Sequence, residues 1–120
     1  MERRETIHEI GLRQMCRDSD NIVRCIEAFY FKDRFWVFLE HMDGGELTPM
    51  IEELAGAYGE NFCRFTCRKV LLTLSYLHEK HIIHRDIKSD NFLVSERGEV
   101  KLADFGYATP LTLKRETAAR

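Results

Sequence analysis

The 120-residue sequence has no long apolar run, and none approaches the ~20 consecutive apolar residues that a membrane-spanning helix requires. The first residues, MERRETIHEI, have no apolar core and are therefore not expected to form a signal peptide. An excess of one charge is also missing, because 18 Lys and Arg against 20 Asp and Glu give a net charge of -2. This balance predicts no broad basic surface for nucleic acid. These absences favour a cytoplasmic protein with no membrane or nucleic-acid partner.

The four cysteines lack the partners of a zinc site. Cys63 and Cys67 lie one helical turn apart, but no Cys or His pair elsewhere completes a ligand set at zinc-like spacing. Cysteine is among the most buried residue types, and cytosolic disulfides are rare. We therefore expect Cys16, Cys25, Cys63 and Cys67 to be reduced thiols in the core.

The sequence has no internal repeat or low-complexity linker, and its length suits one small domain. Residues 3–16 are predicted to form a helix with Ile7, Ile10 and Met15 on one side. Residues 22–31 and 34–40 are rich in β-branched and aromatic side chains, and two residues separate them. They are predicted to form a hairpin, in which Trp36 packs against the sheet.

Two helices are predicted next. Thr48 and Pro49 resemble a cap followed by proline at the first helical position, and that helix should end before Gly56. The second helix covers residues 60–78 and carries apolar residues at spacings of three and four, which predicts a well-buried helix. The stripe consists of Cys63, Cys67, Val70, Leu74 and Leu77, widened by Phe62, Leu71 and Leu72.

A second hairpin is predicted from the segments NFLVS and EVKLA, which Glu96, Arg97 and Gly98 join in a tight turn. A hairpin brings its two ends together. We therefore expect Asn91, at its start, to lie beside Asp104, just past its end.

These residues suit phosphoryl transfer. Asn91 and Asp104 offer an amide oxygen and a carboxylate, which are hard ligands suited to Mg²⁺. Asp86 lies five residues before Asn91, free to act as a base toward a hydroxyl. Lys88 adds a positive charge where a transferring phosphoryl group needs neutralising. A base, a cation and two metal ligands therefore form a phosphoryl-transfer constellation.

The segment HRDIKSDN, with DFG at residues 104–106, resembles the catalytic loop and the metal-binding motif of protein kinases. The resemblance implies that Asp86 is the catalytic base and that Asn91 and Asp104 bind Mg²⁺. Lys88 follows the pattern of kinases that act on serine and threonine. The implied fold is α+β, a partial two-lobe kinase fold with small-lobe residues 1–39, a hinge at 40–46 and large-lobe residues 47–120.

The segment FLEHMDGGELT resembles the hinge that binds ATP between the two kinase lobes. By that resemblance, Leu39 is the gatekeeper and Glu46 contacts ribose, while Leu93 packs under the adenine ring. The implied adenine contacts of the hinge backbone come from Glu40, His41 and Met42. Together with GEVKLADFGYA, these residues make the sequence similar to the sterile-twenty group of serine/threonine kinases.

Glu9, in ETIHEIG, resembles the helix glutamate that pairs with the ATP-orienting lysine of kinases, although Glu5 lies one turn away and remains an alternative. Arg13 departs from the family, which usually places an apolar residue four positions after this glutamate. His84 and Phe105 resemble internal spine residues. Arg85 resembles the arginine that meets a phosphorylated activation loop, which implies an upstream activating kinase.

No G-x-G-x-x-G motif, ATP-orienting V-A-I-K lysine or A-P-E motif occurs in the 120 residues. We therefore expect a fragment of a serine/threonine kinase that uses ATP and Mg²⁺ on protein substrates. The alternative is a non-catalytic kinase-like binding module or an inactive truncation product.

Overall fold

The computed structural model describes residues 3–111. It begins with α1 (Arg3–Met15), followed by β1 (Cys25–Phe31) and β2 (Arg34–Leu39), which pair as an antiparallel hairpin. Lys32 and Asp33 form its turn at φ values of 51° and 62°. Two consecutive left-handed residues suit a type I′ turn, whose twist matches that of the paired strands. The predicted first helix and first hairpin are confirmed.

Two details of this region differ from the prediction. The strand begins at Cys25 rather than residue 22, because Ile22 forms a parallel bridge with Leu102 instead. Leu12 of α1 and Cys16 just after it enter the core, whereas Ile7 and Met15 are 54% and 47% exposed. Leu12 and Cys16 share their buried cluster with Leu102, a grouping that helical periodicity alone does not reveal.

A short strand, β3 (Gly45–Glu46), leads directly into α2 (Leu47–Glu79). Gly59 has φ 52° and ψ −126°, so α2 is kinked there into two helical segments. The predicted break before Gly56 is therefore displaced to Gly59. Thr48 is not the cap, because Glu46 occupies the N-cap position. The Thr48 hydroxyl instead bonds the Ser89 hydroxyl at 2.7 Å and anchors the start of α2 to the following loop.

The remaining chain forms β4 (Ile82–Ile83), a 3-10 turn (Ser89–Asn91), β5 (Phe92–Val94), β6 (Val100–Leu102) and β7 (Thr109–Pro110). β5 and β6 form the predicted second hairpin, and β3 adds to it as a third antiparallel strand. β4 pairs with β7. The α+β class is thereby confirmed.

Gly44, just before β3, packs its backbone directly against this sheet. Its N–H donates to the Val94 carbonyl at 2.8 Å, and a Cβ on Gly44 would lie 2.8 Å from the same oxygen. Any larger residue would therefore force the two backbones apart.

The core lies where α1, both ends of α2 and the β3–β5–β6 sheet meet. Burying these side chains removes apolar surface from water and stabilises the arrangement of the three elements. The core cluster consists of Leu12, Cys16, Ile22, Leu47, Leu77, Ile82, Phe92, Val94, Val100, Leu102, Phe105 and Ala108.

The predictions that the helix over residues 60–78 is well buried and that all four cysteines lie in the core are wrong. Cys16 is buried, but Cys63 and Cys67 are exposed and Leu71 is 64% exposed. Within residues 3–111, α2 contacts β4, β5, β6 and the 3-10 turn. Of the predicted stripe, Leu77 is in the core and Phe62 and Val70 pack against it, so the stripe is only partly covered. No helix in the described part of the chain is long and apolar enough to cross a membrane.

This difference in burial predicts different thiol reactivity. Burial raises the pKa of Cys16 to about 11, which suppresses its reactive thiolate near neutral pH. We expect iodoacetamide to alkylate Cys63 and Cys67 of the folded chain at about pH 8, and to alkylate Cys16 only after unfolding. Mass spectrometry of peptides from native and urea-unfolded samples measures this. Equal labelling of Cys16 and Cys63 in the native chain would contradict the fold described.

Candidate active site

The loop of residues 84–91, between β4 and β5, folds back so that its polar side chains meet. Arg85 has φ 70° and turns the chain sharply after β4, and its Nε donates to the Tyr107 carbonyl at 2.7 Å. Asn91 Nδ2 donates to Asp86 twice, to the backbone oxygen at 2.7 Å and to Oδ2 at 3.0 Å. Lys88 Nζ lies 3.8 Å from the same Asp86 oxygen. The loop therefore brings Asp86, Lys88 and Asn91 together.

Asp104 reaches this group through the second hairpin. Phe92 pairs with Leu102, and one residue further the Ala103 N–H donates to the Asn91 carbonyl at 2.8 Å. Asp104 follows immediately, so the expected proximity of the two hairpin ends is confirmed at the backbone. Asp104 Oδ1 accepts a hydrogen bond from the Gly106 N–H at 2.7 Å, which fixes the turn of the DFG segment.

His84 links the loop of residues 84–91 to the DFG segment. It is buried, its Nδ1 accepts a hydrogen bond from the Asp86 N–H at 3.1 Å, and its Nε2 bonds the Asp104 carbonyl. Because Nδ1 is the acceptor, the hydrogen must lie on Nε2 for the second bond to form. The Phe105 ring packs edge-on against the imidazole, with centroids 5.8 Å apart. One neutral histidine therefore ties the backbones of both acidic residues together.

An ion pair between Glu40 and Lys101 connects the segment after β2 to β6. Glu40 accepts a hydrogen bond from the Arg24 N–H at 2.9 Å, and Lys101 Nζ lies 3.1 and 3.2 Å from its two carboxylate oxygens. Burial alone raises the pKa of Glu40, but the bonds from Arg24 and Lys101 outweigh it and lower the pKa below its ordinary value. Lys101 is only 8% exposed, so this pair is shielded from solvent.

The other residues predicted to bind nucleotide surround the same segment. Glu46 lies directly opposite Leu93 across β3 and β5, so their side chains share one face of the sheet. Met42 is buried and His41 is exposed. Leu39 ends β2 opposite Cys25 and is 36% exposed.

The family described as protein kinase domain matches residues 1–119. The chain belongs to the protein kinase family. The serine/threonine-protein kinase pakA of Dictyostelium discoideum is 43% identical over 111 residues, and the match covers 92% of this chain and 9% of pakA. STE20 of Saccharomyces cerevisiae is 42% identical over 100 residues, which are 81% of this chain and 10% of STE20.

CLA4 of Eremothecium gossypii is a third relative, 43% identical over 106 residues, with 82% of this chain and 13% of CLA4 covered. The chain therefore spans about a tenth of the length of these relatives. Each of them is named a serine/threonine-protein kinase, and the predicted resemblance to the sterile-twenty group is confirmed.

Glu9 lies on α1 and is bonded to Arg13. Its carboxylate forms an ion pair with Arg13, in which Nη2 and Nε lie 3.0 and 3.3 Å from the same oxygen, Oε2. Glu5 instead lines a cavity of about 730 Å³ between α1 and the DFG segment. This cavity is lined by Arg4, Glu5, His8, Arg85, Asp104, Gly106, Tyr107 and Ala108.

The oxygen donors present fit a hard divalent ion. Because Asn91 directs its amide nitrogen at Asp86, its amide oxygen is left for another partner. Among the described residues, no three His, Cys, Asp or Glu side chains form a ready-made metal cluster. A small donor set of this kind suits Mg²⁺, which takes many of its ligands from water and phosphate.

Two buried cations, Lys101 and Arg13, have roles that the sequence does not predict. Lys101 lies within the apolar stretch VKL and Arg13 directly follows the buried Leu12, and that placement was the available signal. Long charged side chains are almost never fully buried unless they are paired. A charged residue at an expected core position therefore indicates a partner, which the sequence cannot identify.

The lowered pKa of Glu40 predicts that its ion pair contributes to acid sensitivity. The pKa of a glutamate in the unfolded chain is about 4.3. Because the native pKa of Glu40 is lower, its contribution to the free energy of unfolding is complete above the unfolded pKa and is lost as pH falls through the native pKa. Between about pH 5 and about pH 3, we expect the wild type to lose more free energy of unfolding than Glu40→Gln. Urea denaturation at both pH values measures the difference.

The matched control for this experiment is Glu53→Gln, which removes an exposed carboxylate of α2 and leaves the Lys101 pair intact. Identical acid-induced losses in the wild type and in Glu40→Gln would show that the pair does not contribute as described.

Proposed function

We propose that the protein containing this chain transfers the γ-phosphoryl group of ATP to serine or threonine of protein substrates. The observation that carries the proposal is the joining of the Asp86 loop to the DFG segment. Asn91 bonds Asp86 through its side chain and Ala103 through its backbone, so base and metal-ligand candidates share one framework. Phosphoryl transfer depends chiefly on such positioning and on electrostatics.

The residues are proposed to act as follows. Asp86 accepts the proton of the attacking hydroxyl, and the amide of Asn91 holds its carboxylate in place. Lys88, which lies on the same loop, offers positive charge to the transferring group. The Asn91 amide oxygen and the Asp104 carboxylate would hold Mg²⁺. When bound, that ion neutralises charge on the phosphates.

ATP is proposed to bind at a hinge, residues 40–46, that joins two lobes. The proposed small lobe is residues 1–39 and the proposed large lobe is residues 47–120. Leu39, Glu40, His41 and Met42 would border the adenine, and Glu46 with Leu93 would border ribose and the ring. The facing positions of Glu46 and Leu93 across β3 and β5 support this site. The ion pair of Glu40 with Lys101 supports it by holding the segment against β6.

Glu9 is proposed as the helix glutamate in preference to Glu5. Arg13, four residues after Glu9, lies over the Phe105 ring at 5.3 Å from its centroid. By the family resemblance, an internal spine residue lies four positions after the helix glutamate. Arg13 has that spacing from Glu9.

Regulation by an upstream kinase is also proposed. Arg4 and Arg85 line the cavity of about 730 Å³ beside the DFG segment, together with His8. Two guanidinium groups beside one cavity suit a phosphate on a regulatory segment. A cytoplasmic location is proposed with these partners.

A non-catalytic module is the second candidate function, and one observation favours it. The Glu9 carboxylate already has a cationic partner in Arg13. Such a module would bind nucleotide with Mg²⁺ and would not transfer phosphate.

Two substitutions separate the proposed roles in assays of the purified chain. Asp104→Asn is expected to weaken binding of a fluorescent ATP analogue with Mg²⁺ about tenfold or more, and to leave Mg²⁺-free binding unchanged, because a metal ligand is lost. Asp86→Asn is expected to keep binding and to lower transfer from γ-labelled ATP about 10²–10⁴-fold, the usual effect of losing a general base.

The matched control is Asp20→Asn, which removes an exposed carboxylate outside the site. Mg²⁺-dependent binding without transfer in the wild type would favour the non-catalytic module. Binding that is indifferent to Mg²⁺ and to Asp104→Asn would contradict the proposed metal site.

A further inference from the structure

Arg13 is a buried cation with four different partners. It is only 6% exposed, and its guanidinium bonds Glu9 on its own helix. It also donates to the Val23 carbonyl at 3.3 Å and to the Ala103 carbonyl, and it lies over the Phe105 ring. A buried charge is costly unless it is paired and hydrogen-bonded, and Arg13 meets both conditions. Its partners therefore account for an arginine where the family usually has an apolar residue.

The location of these partners gives the contacts their meaning. Ala103 and Phe105 flank Asp104, and Val23 lies beside β6 through its hydrogen bond with Leu102. Arg13 thus contacts both neighbours of Asp104, the backbone carbonyl of Ala103 and the side-chain ring of Phe105. Arginine suits such a role because its planar group presents five donors and stacks on aromatic rings, whereas lysine offers a single charged nitrogen.

The ion pair also leaves part of Glu9 available. Both bonds from Arg13 end on Oε2, and within residues 3–111 no hydrogen bond to Oε1 is observed. Arg13 therefore orients the Glu9 carboxylate and leaves one oxygen for a second cation.

We propose that Arg13 is a positioning residue that couples α1 to the DFG segment, holding the backbone of Asp104 and the carboxylate of Glu9 in place. Its significance for catalysis rests on the proposed function, whereas the coupling itself is independent of nucleotide. The competing expectation comes from the family pattern, since an apolar residue would pack equally well on Phe105. Replacing a buried ion pair by an apolar side chain is often neutral or stabilising.

Amide hydrogen exchange of the purified chain distinguishes these expectations. Three amides report on the DFG segment: Ala103, bonded to Asn91; Gly106, bonded to Asp104; and Ala108, bonded to Phe105. In Arg13→Met we expect them to exchange about tenfold faster or more, as for the loss of a charged hydrogen bond. The amides of Ser95 and Gly98, in the far turn of the hairpin, should keep their wild-type rates.

The matched control is Arg64→Met. Arg64 forms the same i,i+4 pair with Glu60 at 2.9 Å, but the side chains are 70% and 85% exposed. We expect no change at the three reporter amides. Arg13→Lys keeps the positive charge but loses the several donors of the planar guanidinium. We therefore expect its exchange rates to lie between those of the wild type and Arg13→Met.

Three outcomes would overturn the proposal. Wild-type exchange at the reporter amides of Arg13→Met would show that no coupling exists. Uniform acceleration that includes Ser95 and Gly98 would show a general structural role. If Arg13→Met does not fold, the exchange rates of Arg13→Lys show whether acceleration is limited to the reporter amides or includes Ser95 and Gly98. Failure of both variants to fold would likewise assign Arg13 a purely structural role.

Nucleotide binding tests the functional consequence separately. With a fluorescent ATP analogue, Arg13→Met should lose most of the affinity gained on adding Mg²⁺, and its Mg²⁺-free affinity should stay at the wild-type value. An unchanged Mg²⁺ gain in Arg13→Met would overturn the link to Asp104. If the wild type binds no nucleotide, the proposed function fails, and the exchange measurements still decide whether Arg13 couples the two elements.

Discussion

The hydrogen bond from the Ala103 N–H to the Asn91 carbonyl closes the β5–β6 hairpin, and the candidate site depends on it. The hairpin itself is short, with three residues in each strand. Its inward residues, Phe92, Val94, Val100 and Leu102, are all buried, so the core supplies the stability that short strands lack. Because the strands end together, the loop before β5 and the segment after β6 become neighbours. Asp86, Asn91 and Asp104 owe their proximity to this backbone arrangement.

Buried polar side chains then fix the two loops against each other. His84 connects the Asp86 N–H to the Asp104 carbonyl, and Arg13 binds the carbonyl of Ala103 from α1. Lys101, the middle residue of β6, plays a comparable part by holding Glu40. In each case a side chain in the apolar interior satisfies groups that would otherwise be buried without partners. These contacts convert a short hairpin into a rigid frame.

The local patterns predicted much of this arrangement. The turn at Lys32 and Asp33, the second hairpin and the proximity of its ends all followed from alternation and spacing, because neighbours in sequence decide them. The exposure of Cys63 and Cys67 did not follow, since helical periodicity shows which residues share a face and not what covers that face. The start of α2 was misplaced because the Thr48 hydroxyl bonds Ser89, a residue 41 positions away. Likewise, the partners of Arg13 and Lys101 lie on distant elements. What remained beyond prediction was therefore tertiary contact.

The missing side chain of Gly44 has a mechanical consequence. With backbone packed directly on the Val94 carbonyl, there is no compressible layer between the segment after β2 and the central strand β5. A shift of that segment would be passed on to β5 almost undiminished, and from there to Asn91 at its base. A movement of residues 40–44 relative to the sheet would thus reach the loop of residues 84–91 without any intervening side chain to absorb it.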